Sequence, residues 1–231
     1  RGTSAGTLLG TSPPAFTVGV TSYIELKVKL SDAAGTVEVR VDGSSTPVLS
    51  LTSVDTKNAG TATVFSGLVF SASFVLDDFY VCDTSGASNN NFLGDVRVDC
   101  LFPNSDGNYQ QFTPSTAGAH YVLADDATPN TTDYVDGTAL NQRDSFGFQD
   151  LTALTSSSVF AVQVNAAINK DDAGARSAAT MIRTSATDAD GSSVALSTGQ
   201  TYISQIYQTD AGGSAWTQTS VNAMEAGVKV T

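Results

Sequence analysis

The sequence predicts an all-β protein made of two antiparallel β-sandwich units, with one short helix near the C-terminus. Three observations carry this prediction. Apolar and polar side chains alternate at period two over several stretches, the pattern of strands with one buried face. Turn signals such as Asp42-Gly43 and Asp188-Ala189-Asp190-Gly191 recur between those stretches. Charged residues make up 15% of the chain, well below the roughly one quarter of an average soluble domain, so the polar surface must come from Ser, Thr, Asn, Gln and Gly.

In chain order, residues 23–30 alternate cleanly, with Ile24, Leu26, Val28 and Leu30 expected inward and Tyr23, Glu25, Lys27 and Lys29 outward. Residues 36–41 repeat the pattern through Val37, Val39 and Val41, and the five-residue link 31–35 suits a hairpin. A third strand is expected at 48–52, and short ones at 62–65 and 68–70. Residues 74–82 read as a strong strand that bulges at Asp77-Asp78. The Ser, Gly and Asn of 85–95 read as a linker, which sets the units at 1–84 and 96–231. A strand restarts at 96–101. The stretch 103–144 holds Pro103, Pro114 and Pro129 and reads as a long surface loop with a short strand at 121–123. Strands follow at 160–168, 177–184, 194–196 and 202–208, separated by turns at 170–176, 188–191 and 210–213. The helix is expected at 220–225, capped by Ser220 or Thr217 and ended by Gly227, with a last strand at 227–231.

The net charge of −12 excludes nucleic acid and an anionic membrane surface as partners, because both are bound through clustered Lys and Arg. No apolar run reaches the length of a membrane span. The chain opens on Arg1 rather than Met, which reads as a processed product or part of a longer chain. Cys82 and Cys100 are too few for a zinc site; they read as two buried thiols or as one bridge.

No catalytic constellation emerges, and the chain is expected not to be an enzyme. The single histidine, His120, has no GxSxG partner motif and reads as a surface or packing residue. The pairs Asp77/Asp78, Asp125/Asp126 and Asp171/Asp172 are adjacent in sequence, so a strand would send their carboxylates to opposite faces. No cofactor is expected. Weak calcium candidates are Asp188 and Asp190, and Asp106 in an Asn-Ser-Asp-Gly-Asn run; ordinary Asp-Gly turns explain both motifs. For surface recognition of a glycan, the aromatic candidates are Tyr109, Tyr121 and Tyr134 in the long loop, and Trp216, which reads first as a core anchor.

The segments YIELKVKLSDAAGTVEVRVDG, LTSVDTKN and VLDDFYVCD resemble the second half of a laminin-G/concanavalin-A-like sandwich. The narrower resemblance is to LamG-like structural proteins of tailed bacteriophages, carried by DTSGASNNNFLGDVRV, VQVNAAINKDDAGARS and AWTQTSVNAMEAGVKV. It covers most of the chain and is weak over 103–144. The resemblance implies that the first unit is an incomplete jelly roll whose remaining strands lie upstream or come from a neighbour. It also implies a virion structural component, assembled in the host cytoplasm, with copies of itself, other phage structural proteins and a host surface glycan as partners. A tail fibre or tail-associated adhesin is the leading expectation; a capsid decoration protein and a lectin-like module are the alternatives.

Overall fold

A computed structural model describes residues 7–15, 17, 19–58, 60–61, 63–65, 67, 75–152 and 158–231. The chain is all-β and divides into two compact units, Arg1–Val98 and Asp99–Thr231. Among the described residues no helix is long and apolar enough to cross a membrane.

The first unit carries a three-stranded antiparallel sheet of β1 (Ile24–Lys29), β2 (Gly35–Val41) and β3 (Leu49–Val54), in that order. Opposed pairs share a face, so Ile24, Leu26 and Val28 line up with Val41, Val39 and Val37, and these with Leu49 and Leu51. The orientation expected for β1 is reversed. Leu26 is 58% exposed and Glu25 only 5%. The cause is the chain that follows. Glu25 Oε1 accepts hydrogen bonds from Tyr80 Oη at 2.7 Å and from the backbone N–H groups of Leu93 and Gly94, both at 3.0 Å. Tyr23 Oη donates to Tyr80 Oη, Lys27 Nζ donates to Asn91 Oδ1, and the Phe92 ring lies 4.1 Å from the Arg40 guanidinium. A carboxylate buried with three donors is well compensated. Residues 91–94, within the stretch expected as a linker, therefore pack on the charged face of this sheet, and the division between units falls after Val98. On the apolar face, Gly10 lies against Leu49 and Leu51.

Several strands expected in this region do not form. Residues 75–82 and 96–101 pair in no ladder, and neither do 63–65; the expected strand at 68–70 lies outside the described residues. Asp78 sits at φ 52°, and its carboxylate accepts from Val98 N–H. That left-handed residue breaks the extended run where the aspartate pair was expected to bulge it.

The second unit is a two-layer arrangement. Its main sheet contains β4 (Pro103–Gln110), β7 (Arg143–Phe148), β9 (Ser177–Thr184), β10 (Thr187–Asp190) and β13 (Glu225–Val230), in the order β10-β9-β13-β7-β4. The short β11 (Val194–Ala195) also pairs with β9, and β5 (Thr113–Pro114) pairs with β6 (Val135–Asp136). A ribbon of β8 (Val162–Ile168) and β12 (Thr201–Tyr207) covers one face. Val164 and Tyr207 of the ribbon pack there with Ile182, Ala226, Met224, Val221 and Trp216.

The stretch 103–144 is thus no plain loop. Its sequence Pro-Asn-Ser-Asp-Gly-Asn-Tyr-Gln lacks β-branched residues and alternation, yet it adds β4 as an edge strand with two register irregularities. Residues 120–123 form a 3₁₀ turn instead of a strand. Asp188 and Asp190, expected in a turn, stand in β10. The hairpin bends three residues earlier, at Ser185, with φ 56°.

The helix α1 spans Gln218–Asn222, earlier than expected. Thr217 caps it: its side chain accepts from Ser220 N–H while Ser220 Oγ accepts from Thr217 N–H, a reciprocal box. Gly227 does not end the helix; it lies mid-strand in β13, where a Cβ would collide with the Asp144 carbonyl. Thr217→Ala is expected to lower the unfolding free energy of this unit by about 1 kcal/mol, read as a lower urea midpoint. An unchanged midpoint would show that the box contributes nothing.

Candidate functional site: an ionic lattice on the second sheet

The face of the main sheet turned away from the ribbon gathers four ion pairs of the unit. Antiparallel register sets Arg183 of β9 opposite Asp188 of β10 on one side and Glu225 of β13 on the other. It sets Lys229 of β13 opposite Arg143 of β7, and Gly227 opposite Ser145 and Met181. The floor between the charges is therefore small or unbranched, and long side chains can extend over it. Arg143 does so, placing Nη1 2.6 Å from Asp188 Oδ2 and Nη2 3.0 Å from Asp190 Oδ2. Arg183 Nη1 reaches Asp188 Oδ1 at 2.7 Å, and Lys229 Nζ reaches Asp190 Oδ2 at 2.6 Å.

Tyr109 closes this lattice from β4. Its hydroxyl donates to Asp188 Oδ2 at 2.7 Å, and its ring lies 5.4 Å from the guanidinium carbons of both Arg143 and Arg183. The bulge in β4 allows the reach. Tyr109 N–H donates to Ser145 Oγ, Asn108 N–H to Glu225 Oε2, and Ser145 Oγ to Glu225 Oε2 at 2.6 Å. Gly107 is required at this crossing, since a Cβ would meet Ser145 Oγ and Glu225 Oε2 below contact distance.

The electrostatics follow from the geometry. Burial pushes the Asp188 carboxyl up, but hydrogen bonds from Tyr109 and Arg183 and the charges of both arginines outweigh it, so the net shift is downward. The Tyr109 phenol is raised, chiefly because it donates to the Asp188 carboxylate. The Arg183 guanidinium is raised by the same carboxylate.

A second pair lies beside β7. His120 Nδ1 stands 2.8 Å from Asp144 Oδ2, and Asp144 Oδ1 accepts from Phe112 N–H; both side chains are buried. Burial raises the Asp144 carboxyl, with His120 and Phe112 pulling the other way. His120, expected in a loop, thus holds the 3₁₀ turn to β7.

Of the residues picked out in sequence, the fold joins Tyr109, Asp188 and Asp190 in one lattice. Asp106 lies apart, its Oδ1 accepting from Tyr121 N–H at 2.7 Å. The calcium candidates are therefore held by arginine, lysine and backbone, and no group of three or more His, Cys, Asp or Glu is placed to hold a metal among the described residues. Tyr134 is exposed on the β6 side. Trp216 does not reach the surface as a recognition platform; it is 4% exposed, and Nε1 donates to the Tyr207 carbonyl at 2.8 Å. An open cleft of about 440 Å³ borders the lattice, lined by Asn104, Asp106, Asn108, Phe148, Asn222 and Glu225 among others.

Sequence reading passed over Arg143, Arg183, Lys229, Glu225 and Ser145. The available signal was a single cation inside an apolar strand, as in Ser-Ala-Ala-Thr-Met-Ile-Arg-Thr and Glu-Ala-Gly-Val-Lys-Val. Such a residue needs a partner across the sheet. Chemically, the lattice is a closed set of acids and bases that ties β4, β7, β9, β10 and β13 together. No protein-family model, curated protein or solved structure matches this chain.

Proposed function

We propose that the chain is a non-enzymatic structural component of a bacteriophage particle, acting as a tail fibre or tail-associated adhesion protein. The observation that carries this reading is the resemblance of 23–43, 51–58, 75–98, 162–177 and 215–230 to LamG-like phage structural proteins. The lattice supports the non-enzymatic part, because Asp188, Asp190, Arg143, Arg183 and Lys229 are spent on one another. A host glycan would meet the exposed Tyr134 and the polar cleft rather than Trp216. Antibody-gold labelling of purified particles, with peptide mass spectrometry of the same preparation, tests the proposal. Label on the tail is the expected result. Label on the head would replace it with capsid decoration, and absence from particles would end it.

A further inference from the structure

We propose that the outer edge of β12 is a homotypic docking site, where β12 of a second copy pairs antiparallel about a two-fold axis at Ser204. The proposal deepens the reading of a self-assembling structural component by naming the contact between copies.

An edge strand offers unpaired N–H and C=O groups to any other chain, and proteins usually blunt such edges with charge, proline, bulges or shortness. Among the described residues nearly every edge is blunted. β1 carries Glu25, Lys27 and Lys29; β3 turns out of line at Ser53, with φ 55°. β4 holds Pro103 and two irregularities; β10 holds Asp188 and Asp190; β5, β6 and β11 are two residues long. The β8–β12 ribbon is the exception. Its strands are seven residues each, in unbroken register, without charge, glycine or proline. Among the described residues β12 pairs in a ladder only with β8. Trp216 occupies the Tyr207 carbonyl at the strand end.

A second copy is the occupant because the edge is uncharged and its exposed side chains are self-complementary about Ser204. Each chain carries −12, so two copies repel wherever their acidic surfaces meet. A long uncharged edge is where they approach without that cost. Side-chain pairing selects β12 over β8. With Ser204 on the axis, Tyr202 of each copy faces Ile206 of the other, and these side chains are 67% and 52% exposed. Aromatic–aliphatic cross-strand pairs are the stabilising kind. The same operation on β8 would pair Gln163 with Ala167 and Asn165 with itself.

Sedimentation equilibrium of the full chain tests this, with far-UV circular dichroism confirming that each variant is folded. The unaltered chain is expected as a dimer that dissociates on dilution. Ser204→Lys sets two like charges on the axis from an exposed position and is expected to leave a monomer of unchanged spectrum. Asn165→Lys, on β8, is expected to remain a dimer. In a Cys82→Ser/Cys100→Ser background, Ser204→Cys is expected to give a covalent dimer with a short bismaleimide. A monomeric unaltered chain, a dimeric Ser204→Lys, a monomeric Asn165→Lys or no cross-link through Ser204→Cys would each overturn the pairing. None of these readouts involves the phage particle, so failure here is separable from failure of the particle assignment.

Discussion

Trp216→Ala is expected to lower the unfolding free energy of the second unit by about 3–5 kcal/mol, the range for removing a large buried aromatic. The indole fills the space between Val164 and Tyr207 of the ribbon, Ile182 and Ala226 of the main sheet, and Val221 and Met224 around α1. Those groups belong to separate elements, so collapse into the cavity would require all of them to move. Trp216→Phe separates volume from polarity. It keeps most of the packing but leaves the Tyr207 carbonyl without its 2.8 Å donor, and should cost about 1–3 kcal/mol. Urea titrations followed by circular dichroism give both values. Trp216 is the sole tryptophan, so in the unaltered chain its fluorescence reports this unit alone. An alanine variant of unchanged midpoint would remove Trp216 from the core.

Asp188→Ala is expected to cost about 2–3 kcal/mol at neutral pH, because three charge-assisted hydrogen bonds are lost and Arg183 loses its ion-pair partner. The figure sits below that of a fully buried pair since water still reaches these groups. Tyr109→Phe removes one of the three bonds and should cost about 1 kcal/mol. The two changes should be strongly non-additive, because they break the same contact. The pH dependence has a fixed sign. The folded-state pKa of Asp188 is depressed, so its contribution is complete above the unfolded value of about 3.9. It is lost as pH falls through the folded value below that. The stability gap between the unaltered chain and Asp188→Ala should therefore close at the acid end. A gap that stayed constant to the lowest pH would show that the carboxylate charge is not what Asp188 contributes.

What could be read from sequence depended on whether the deciding contacts were local. The strands β8 and β12 were legible because Val162, Val164 and Ile168, or Ile203 and Tyr207, fall on one face at even spacing within a few residues. The cap at Thr217 was legible because its partner is three residues away. β4 was not, because a bulged edge strand of small polar residues owes its conformation to pairing with β7. The buried face of β1 was misread for a similar reason. Its apolar residues promised one orientation, but Tyr80, Leu93 and Gly94, more than fifty positions away, bury Glu25 instead. Tyr109 and Asp188 were both selected, each for a different purpose. Their hydrogen bond spans 79 positions, and no periodicity encodes such a meeting.

Cys82 and Cys100 are both free and both exposed, one in each compact unit. The chain thus carries its own labelling handles. Maleimide dyes attached to these two thiols would make it a ready-built energy-transfer ruler, and the distance between its units could be followed as copies associate or as a surface is engaged. Cys82→Ser or Cys100→Ser would reserve a single handle, so one unit at a time could be tethered, spin-labelled or pulled without changing a packed residue.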